Sequence, residues 1–196
     1  MIQTAPPPPR PKPATLPMLE DGPLPGLKIF TPRVFGDERG YFYEVYNAAT
    51  WREAGIADHF VQDNQAFSSR GVLRGLHYQR GEHAQSKLVR VIEGEVLDVV
   101  VDCRPDSPTY GRHHSIRLSG ENKVQFYVPR GFAHGYVVLS DTALFAYKCD
   151  NYYAPQSEGG VKYDDPALGI DWIVEPHEVQ LSAKDGVLPP FGQHLR

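Results

Sequence analysis

The chain has 196 residues, enough to bury one full hydrophobic core, and a formal net charge of −4. The charge is mild and no run of Lys or Arg is long, which argues against a nucleic-acid partner. No stretch is apolar over the length that a membrane-spanning helix needs. The first residues lack the basic flank and apolar core of a secretory signal, so we expect a cytoplasmic protein without a membrane partner.

Residues 1–25 contain the run PPPPRPKP and further prolines. This composition favours extended polyproline and cannot bury a hydrophobic face. We interpret 1–25 as a flexible arm and 26–196 as one domain. A docking motif for a proline-binding module is the alternative for the arm.

From Leu27 onward, short runs of Val, Ile, Phe and Tyr are separated by Gly, Pro, Asn and Asp, which is typical of a many-stranded sandwich or barrel. One interior helix is predicted, from the N-cap Asn47 to Gly55. Beyond Asp150, prolines and glycines predict turns and short helical pieces rather than sheet. The predicted strands are 27–34, 41–46, 60–67, 72–79, 86–92, 94–103, 113–118, 124–128, 134–140 and 142–150.

The clearest strand reads EVLDVVVDC over 95–103. Its alternation places Asp98 and Asp102 on one face beside two valines, and the other face is entirely apolar. We therefore expect an antiparallel sheet with one buried face and one partly wet face. The apolar face consists of Leu97, Val99, Val101 and Cys103. Cys103 and Cys149 have no CxxC or metal-binding spacing, so they are predicted to be reduced, buried thiols.

Ionisable residues gather in 61–101, where the neighbouring residues are apolar. Arg74, His77 and Lys87 lie within fourteen positions of one another. An unpaired buried charge costs several kcal/mol, so such residues either end a strand or face a wet pocket, and we favour the pocket. Strict alternation turns Arg74 away from His77. A shared pocket therefore requires a bulge at Gly75.

Each of these residues has a plainer interpretation. His77 could be a core histidine bonded to backbone, although its ordinary pKa suits a base near neutrality. Lys87 could be solvated before its strand begins, although it shares a face with two valines. Tyr147 could be an ordinary core tyrosine with its hydroxyl at the rim.

A metal site is the rival interpretation of a β-barrel with eight histidines. The run VPRGFAH, which ends at His134, matches the second metal half-motif of cupin barrels. The first half-motif needs His-x-His followed by a glutamate, but this chain has His77, Tyr78 and Gln79 in that place. One ligand is missing, so the sequence predicts a cupin that binds no metal.

Long motifs occur in a fixed order over nearly all of the chain after about residue 26. They are FGDERGYFYE (35–44), FVQDNQ (60–65), VLRGLHYQ (72–79), KLVRVIEGEVLDVVVD (87–102), SPTYG (107–111), ENK (121–123), VPRGFAHGY (128–136), YKCDNYYAPQSEGG (147–160) and LSAKD (181–185). In these motifs and their order the chain resembles the dTDP-4-dehydrorhamnose 3,5-epimerase family. The resemblance implies an all-β, metal-free cupin jelly roll with few short helices, without a cofactor, that acts as a homodimer on a dTDP-linked 4-keto-6-deoxy sugar.

The resemblance also implies roles for individual residues. His77 matches the catalytic base, Asp185 the carboxylate that orients it, Lys87 the group beside the ketone oxygen and Tyr147 the acid on the opposite face. Arg39 and Glu44 match residues that reach the neighbouring subunit's site. All implied substrate contacts are Arg39, Glu44, Gln62, Asp63, Asn64, Arg74, His134, Glu158 and Lys184, and Tyr152 or Tyr153 offers a face for the base.

Other functions stay open from sequence. Relatives of such enzymes include epimerases that invert only C3 or only C5, and isomerases that move the ketone, which Tyr147 argues against. A sugar-nucleotide-binding cupin without activity is the alternative outside enzymes. It would not need an acid and a base on opposite faces of the substrate.

The missing second histidine of the metal half-motif predicts that the epimerase activity is insensitive to chelation. Turnover is expected to stay unchanged after dialysis against EDTA, measured by conversion of the sugar nucleotide. Loss of turnover that zinc or iron restores would contradict this prediction.

Overall fold

The computed structural model describes residues 18–194, and the regular secondary structure of this part of the chain is mainly strand. The single α-helix, α1 (Ala48–Glu53), is capped by Asn47, whose side chain accepts a hydrogen bond from the Ala49 N–H. The strands are β1 (Met18–Asp21), β2 (Lys28–Thr31), β3 (Phe35–Asp37), β4 (Gly40–Phe42), β5 (Gln62–Ser69), β6 (Leu73–Gln79), β7 (Lys87–Glu93), β8 (Glu95–Asp102), β9 (His113–Ser119), β10 (Gln125–Val128), β11 (Phe132–Val138), β12 (Thr142–Cys149) and β13 (Glu158–Gly160). Short 3₁₀ turns lie at Gly81–His83, Pro155–Ser157, Pro176–Glu178 and Asp185–Val187.

Two antiparallel sheets pack face to face. One has the strand order β1-β2-β10-β7-β12-β5 and the other β13-β6-β11-β8-β9, while β3 and β4 form a separate hairpin. The core between the sheets takes Val89, Phe126 and Phe145 from the first sheet and Val100 and Tyr136 from the second. This is the predicted all-β cupin jelly roll, and the predicted helix is also confirmed.

The outer faces of both sheets are covered as well. Helix α1 places Trp51 against Leu88 and Tyr127 on the six-stranded sheet. The C-terminal segment lays Val161 and Trp172 over the five-stranded sheet. The prediction of a partly wet face on β8 is therefore wrong, because the face that carries Asp98 and Asp102 is the interior of the sandwich, and both carboxylates are fully buried.

Two local predictions differ from the structure. The predicted strand 41–46 is replaced by the β3–β4 hairpin and irregular chain. The region after Asp150 was expected to contain no sheet, but β13 adds to the edge of β6. Both short pieces depend on partners that are distant in sequence, which local patterns do not reveal. Cys103 and Cys149 are free and buried, as predicted.

The boundary of the predicted arm at residue 25 also requires correction. Residues 18–21 form β1, which pairs with β2 from Met18↔Thr31 to Asp21↔Lys28. Leu24 is buried in the core between the sheets. Residues 18–25 are therefore part of the domain, because β2 offers them an edge to pair with. Residues 1–17 of the predicted arm lie outside the described residues. Within 18–194, no helix has the length and apolar character required to cross a membrane.

A bulge in β6 controls which way the ionisable side chains point. His77 pairs with His134 and Arg74 pairs with Tyr136, so two residues of β6 oppose the single Gly135 of β11. Since His134 and Tyr136 lie on one face of β11, Arg74 and His77 share the inner face despite their odd spacing. Gly75 has a φ of +131°, and a Cβ there would lie 2.5 Å from the Gly135 Cα. The predicted bulge at Gly75 is confirmed.

The loop from β8 to β9 is fixed by the buried carboxylate of Asp102. It accepts hydrogen bonds from Arg104 Nε at 2.8 Å, Ser107 Oγ at 2.5 Å and Thr109 Oγ1 at 2.6 Å. Arg104 also donates to the Pro25 carbonyl at 3.1 Å, which ties the N-terminal segment to this loop. Burial raises the pKa of Asp102, but these hydrogen bonds outweigh it and bring the pKa to about 2.

Asp102→Asn is expected to destabilise the protein by about 3 kcal/mol at pH 7, because it leaves Arg104 without its buried charge partner. A carboxylate whose pKa falls on folding stabilises above its unfolded value of 3.8, so the difference from wild type should shrink as the pH falls from 3.8 towards 2. Denaturant unfolding at pH 7 and pH 3 measures both effects. Asp106→Asn, on an exposed residue of the same loop, is the control. Equal stability of both variants at pH 7 would contradict the prediction.

Candidate active site

The inner faces of the two sheets bring the predicted catalytic residues to one region. His77 on β6 lies beside His134 on β11 in one sheet. In the other sheet, Tyr147 on β12 pairs with Val89, and Cys149 pairs with Lys87 on β7. Electrostatic interaction of Lys87 with both His77 and Asp98 shows that the two sheets face the same space.

His77 is held by Asp185, which is 108 positions away in sequence. His77 Nε2 lies 2.6 Å from Asp185 Oδ1, and Asp185 is buried. The Asp185 N–H donates to Ser182 Oγ at 3.1 Å, which fixes the start of the 3₁₀ turn Asp185–Val187. Because an ionised carboxylate only accepts, Nε2 carries the hydrogen and Nδ1 keeps a lone pair. The geometry therefore prepares Nδ1 to accept a proton.

Burial shifts the pKa values of His77 and Tyr147 in opposite directions. It lowers the pKa of His77, Asp185 opposes this, and the positive charge of Lys87 lowers the pKa further. Burial raises the pKa of Tyr147 to about 12. Near neutral pH, His77 is therefore an unprotonated base and Tyr147 a protonated hydroxyl.

Lys87 shares the inner face of β7 with Val89 and Val91, so its ammonium is directed into the interior. Burial lowers its pKa, whereas Cys149, Asp98 and Glu158 raise it. Its strand is fixed at the start by Ser86, whose N–H donates to Asp150 Oδ1 at 2.6 Å and whose Oγ donates to Asp58 Oδ2 at 2.5 Å. Lys87 is thus held where a negative charge could form.

Asp98, which strand alternation predicts on a partly wet face, is buried on the inner face beside His134. Its Oδ2 lies 2.9 Å from His134 Nε2, and its buried Oδ1 has no hydrogen-bond partner within the described residues. Burial raises its pKa, and His134 opposes that change. An aspartate in the middle of the apolar run EVLDVVV was the signal that could have identified it.

The residues proposed to contact the substrate divide into those near this region and those away from it. Gln62 and Asn64 lie on β5 beside β12 and hydrogen-bond each other at 3.0 Å. Arg74 Nε donates to Ser68 Oγ at 3.2 Å. Glu158 Oε2 accepts hydrogen bonds from Lys184 and from the Tyr153 hydroxyl. Glu158 interacts electrostatically with His77 and Lys87, which places this cluster at the same site.

Three of the expected contacts are not brought to this region. Asp63 alternates away from Asn64 and pairs with Lys148 at 2.8 Å, its side chain 72% exposed. Arg39 lies in the turn between β3 and β4, paired with Asp37 and 85% exposed. Glu44 is exposed and accepts from Asn47 at 3.2 Å. Strand alternation accounts for Asp63, and the separate hairpin accounts for the other two.

Within 18–194, no group of three or more His, Cys, Asp and Glu side chains is arranged to hold a metal ion. Gln79, which replaces the second histidine of the metal half-motif, is 5% exposed and hydrogen-bonds to the backbone of His83, Tyr152 and Ala154.

The fold and the site define a cupin that holds a histidine–aspartate pair, a tyrosine and a lysine between its two sheets. A family profile described as dTDP-4-dehydrorhamnose 3,5-epimerase matches residues 21–193. The chain belongs to the dTDP-4-dehydrorhamnose 3,5-epimerase family.

Individual relatives are similar over most of their length. The dTDP-4-dehydrorhamnose 3,5-epimerase of Salmonella typhimurium is 52% identical over 173 residues, 88% of this chain and 94% of that protein. The crystal structure of the Elizabethkingia anophelis enzyme of the same name has a TM-score of 0.86 and 56% identity, covering 89% of this chain and 96% of that one. The Legionella pneumophila dTDP-6-deoxy-D-glucose-3,5-epimerase, solved with dTDP-4-keto-L-rhamnose, has a TM-score of 0.86 and 51% identity, covering 89% and 93%.

The imidazole of His77 is expected to titrate below 6.5, and Asp185→Asn should lower its midpoint further, because the variant removes the charge that raises the pKa of His77. Histidine NMR titration measures both midpoints, with the exposed His177 as internal control. A midpoint above 6.5 in wild type, or a higher midpoint in the variant, would contradict the electrostatic description.

Proposed function

We propose that the protein epimerises a dTDP-linked 4-keto-6-deoxy sugar at C3 and C5, converting dTDP-4-dehydro-6-deoxy-D-glucose to dTDP-4-dehydro-L-rhamnose. One arrangement carries the proposal. His77 of the five-stranded sheet is a neutral imidazole hydrogen-bonded to Asp185, and Tyr147 of the opposite sheet keeps its hydroxyl proton. Family membership and the sugar nucleotide bound by the Legionella relative support the substrate class.

The chemistry requires proton transfer only. A ketone at C4 acidifies the hydrogens on C3 and C5, because the carbanion is delocalised onto oxygen as an enolate. His77 Nδ1 removes the proton, and the Lys87 ammonium stabilises the oxyanion. Tyr147 returns a proton from the other face, which inverts the carbon. No electron is gained or lost, so the proposed reaction calls for no cofactor.

The Asp185 carboxylate supports the base in two ways. Its hydrogen bond to Nε2 keeps the lone pair on Nδ1, and its charge stabilises the imidazolium that forms after proton removal. Asp98 has the corresponding position beside His134, so we propose that it orients His134 towards the sugar. Both carboxylates, Asp185 and Asp98, are buried. They therefore hold the two imidazole rings in place before the substrate binds.

Arginine and tyrosine residues suit the nucleotide part of the substrate. The guanidinium of Arg74, close to Tyr147, can bind phosphate oxygens in a bidentate way. Tyr153 is favoured over Tyr152 for stacking on the base. Its hydroxyl is anchored to Glu158 at 2.9 Å, whereas the Tyr152 hydroxyl has no hydrogen bond within the described residues. Gln62, Asn64, Glu158 and Lys184 complete the proposed contacts on this subunit.

We propose that the active form is a homodimer in the cytoplasm. Arg39 lies on a hairpin with large exposed aromatic surfaces, namely Phe35, Tyr41 and Phe42 at 47%, 58% and 71% exposure. Exposed aromatic clusters of this kind mark protein interfaces. Arg39 and Glu44 are exposed and, within residues 18–194, form polar contacts only with their own segment, and this supports a role for both in the partner's site. Asp63, paired with Lys148, is likewise proposed to act in the partner's site.

The first experiment is proton NMR of dTDP-4-keto-6-deoxyglucose with the protein in D₂O. Deuterium is expected at both C3 and C5. His77→Ala should slow exchange at both carbons by at least ~100-fold, since a general base contributes roughly 10²–10⁴. Tyr147→Phe should slow net inversion much more than exchange, because proton removal does not use the hydroxyl.

The outcomes separate the alternatives. Deuterium at one carbon only would identify a single-centre epimerase, and binding without exchange would identify a non-catalytic sugar-nucleotide-binding cupin. Exchange at the wild-type rate in His77→Ala would exclude His77 as the base. An unchanged product distribution in Tyr147→Phe would exclude Tyr147 as the acid.

A further inference from the structure

Gln79 ends β6 two positions after His77, and its side chain is almost fully buried. Its Nε2 donates to the carbonyls of His83 at 2.7 Å and Tyr152 at 3.1 Å, and its Oε1 accepts from the Ala154 N–H at 2.7 Å. Both ends of the amide are therefore engaged. Two donors facing two carbonyls and an acceptor facing one N–H are a pattern that only a primary amide supplies.

Two of these bonds enclose Tyr153. The Tyr152 carbonyl and the Ala154 N–H are the backbone groups on either side of it. The Tyr153 N–H itself donates to Gln62 Oε1 at 3.0 Å. Gln62 belongs to the six-stranded sheet and Gln79 to the five-stranded sheet, so one glutamine from each sheet holds the backbone at Tyr153.

The ring of Tyr153 is exposed although the rest of the residue is fixed. Its exposed fraction is 54%, and its hydroxyl is anchored to Glu158. An aromatic face that is exposed and already ordered loses little entropy when a base stacks on it. Base stacking on an aromatic side chain is sequence-tolerant and strong enough to change affinity roughly 5- to 100-fold.

We propose that Gln79 is a positioning residue for nucleotide recognition: it holds the loop on both sides of Tyr153 and so presents the ring to the nucleobase. The inference rests on the proposed function, because only a nucleotide-linked substrate brings a base. At the position where metal-binding cupins carry a second histidine, this chain carries an amide that orders the base-binding rim.

The test is the affinity of the full-length protein for thymidine diphosphate by calorimetry, with kcat measured in parallel. Gln79→Met keeps the side-chain length and removes the three hydrogen bonds. It is expected to weaken binding roughly 5- to 10-fold and to leave kcat within about twofold, since it removes binding energy distant from the reacting carbons. A role in folding alone would not produce this split between affinity and kcat.

Gln85→Met is the matched control. Gln85 bridges the same two loops, but its Nε2 donates to the Asn151 carbonyl at 2.7 Å and does not flank Tyr153. Its affinity for thymidine diphosphate should change less than about twofold, because the bonds beside Tyr153 remain. Equal weakening by Gln79→Met and Gln85→Met would overturn the assignment to Gln79.

A double-mutant cycle provides the sharper comparison. If Gln79 acts through Tyr153, then Tyr153→Ala combined with Gln79→Met binds no more weakly than Tyr153→Ala alone. Additive losses, or a fall in kcat with unchanged affinity, would overturn the inference. Should Gln79→Met fail to fold, Gln79→Glu is used in the same cycle, since it is nearly isosteric and faces two carbonyls with an acceptor.

Failure of the proposed function and failure of the role of Gln79 give different results. A wild-type protein that does not bind thymidine diphosphate would overturn the proposed function together with this inference. A wild-type protein that binds it and epimerises the sugar, with unchanged affinity in Gln79→Met and Gln79→Glu, would overturn the role of Gln79 alone.

Discussion

The close backbone contact between β6 and β11 is the constraint on which the site depends. A Cβ at Gly135 would lie 2.6 Å from the Arg74 carbonyl, and one at Gly75 would lie 2.5 Å from the Gly135 Cα. With glycine in both places, two residues of β6 fit opposite one of β11. The bulge turns Arg74 to the same face as His77, so a guanidinium and an imidazole can serve one pocket.

Covering both faces of the five-stranded sheet has a chemical consequence. The C-terminal segment that packs Val161 and Trp172 on the outer face continues to Asp185, which reaches His77 at the edge of β6. Packing and orientation of the base are therefore linked through one segment. If no segment packed on the outer face, Asp185 would not be brought to His77. The imidazole would then lose the carboxylate that fixes its tautomer.

Burial is the largest cause of the pKa shifts of His77 and Tyr147, the two proposed proton-transfer groups. It lowers the pKa of His77 and raises that of Tyr147. It favours the neutral form of each, which is the acceptor form of His77 and the donor form of Tyr147. Lys87 stays close to Asp98 and Glu158, which oppose the effect of burial on its pKa. One low-dielectric space therefore keeps the proposed base and the proposed acid in their neutral forms at the same pH.

The sequence by itself determined the all-β class, the helix after Asn47, the inward alternation of Lys87 and Tyr147, and the need for a bulge at Gly75, because these follow from local periodicity and glycine geometry. Only the tertiary structure decided which face of β8 is interior, that residues 18–21 pair with β2, that Asp63 points away, that Asp98 contacts His134, and that Gln79 bonds to the backbone beside Tyr153. These features depend on which distant segment covers a face or an edge, and alternation along one strand carries no information about that partner.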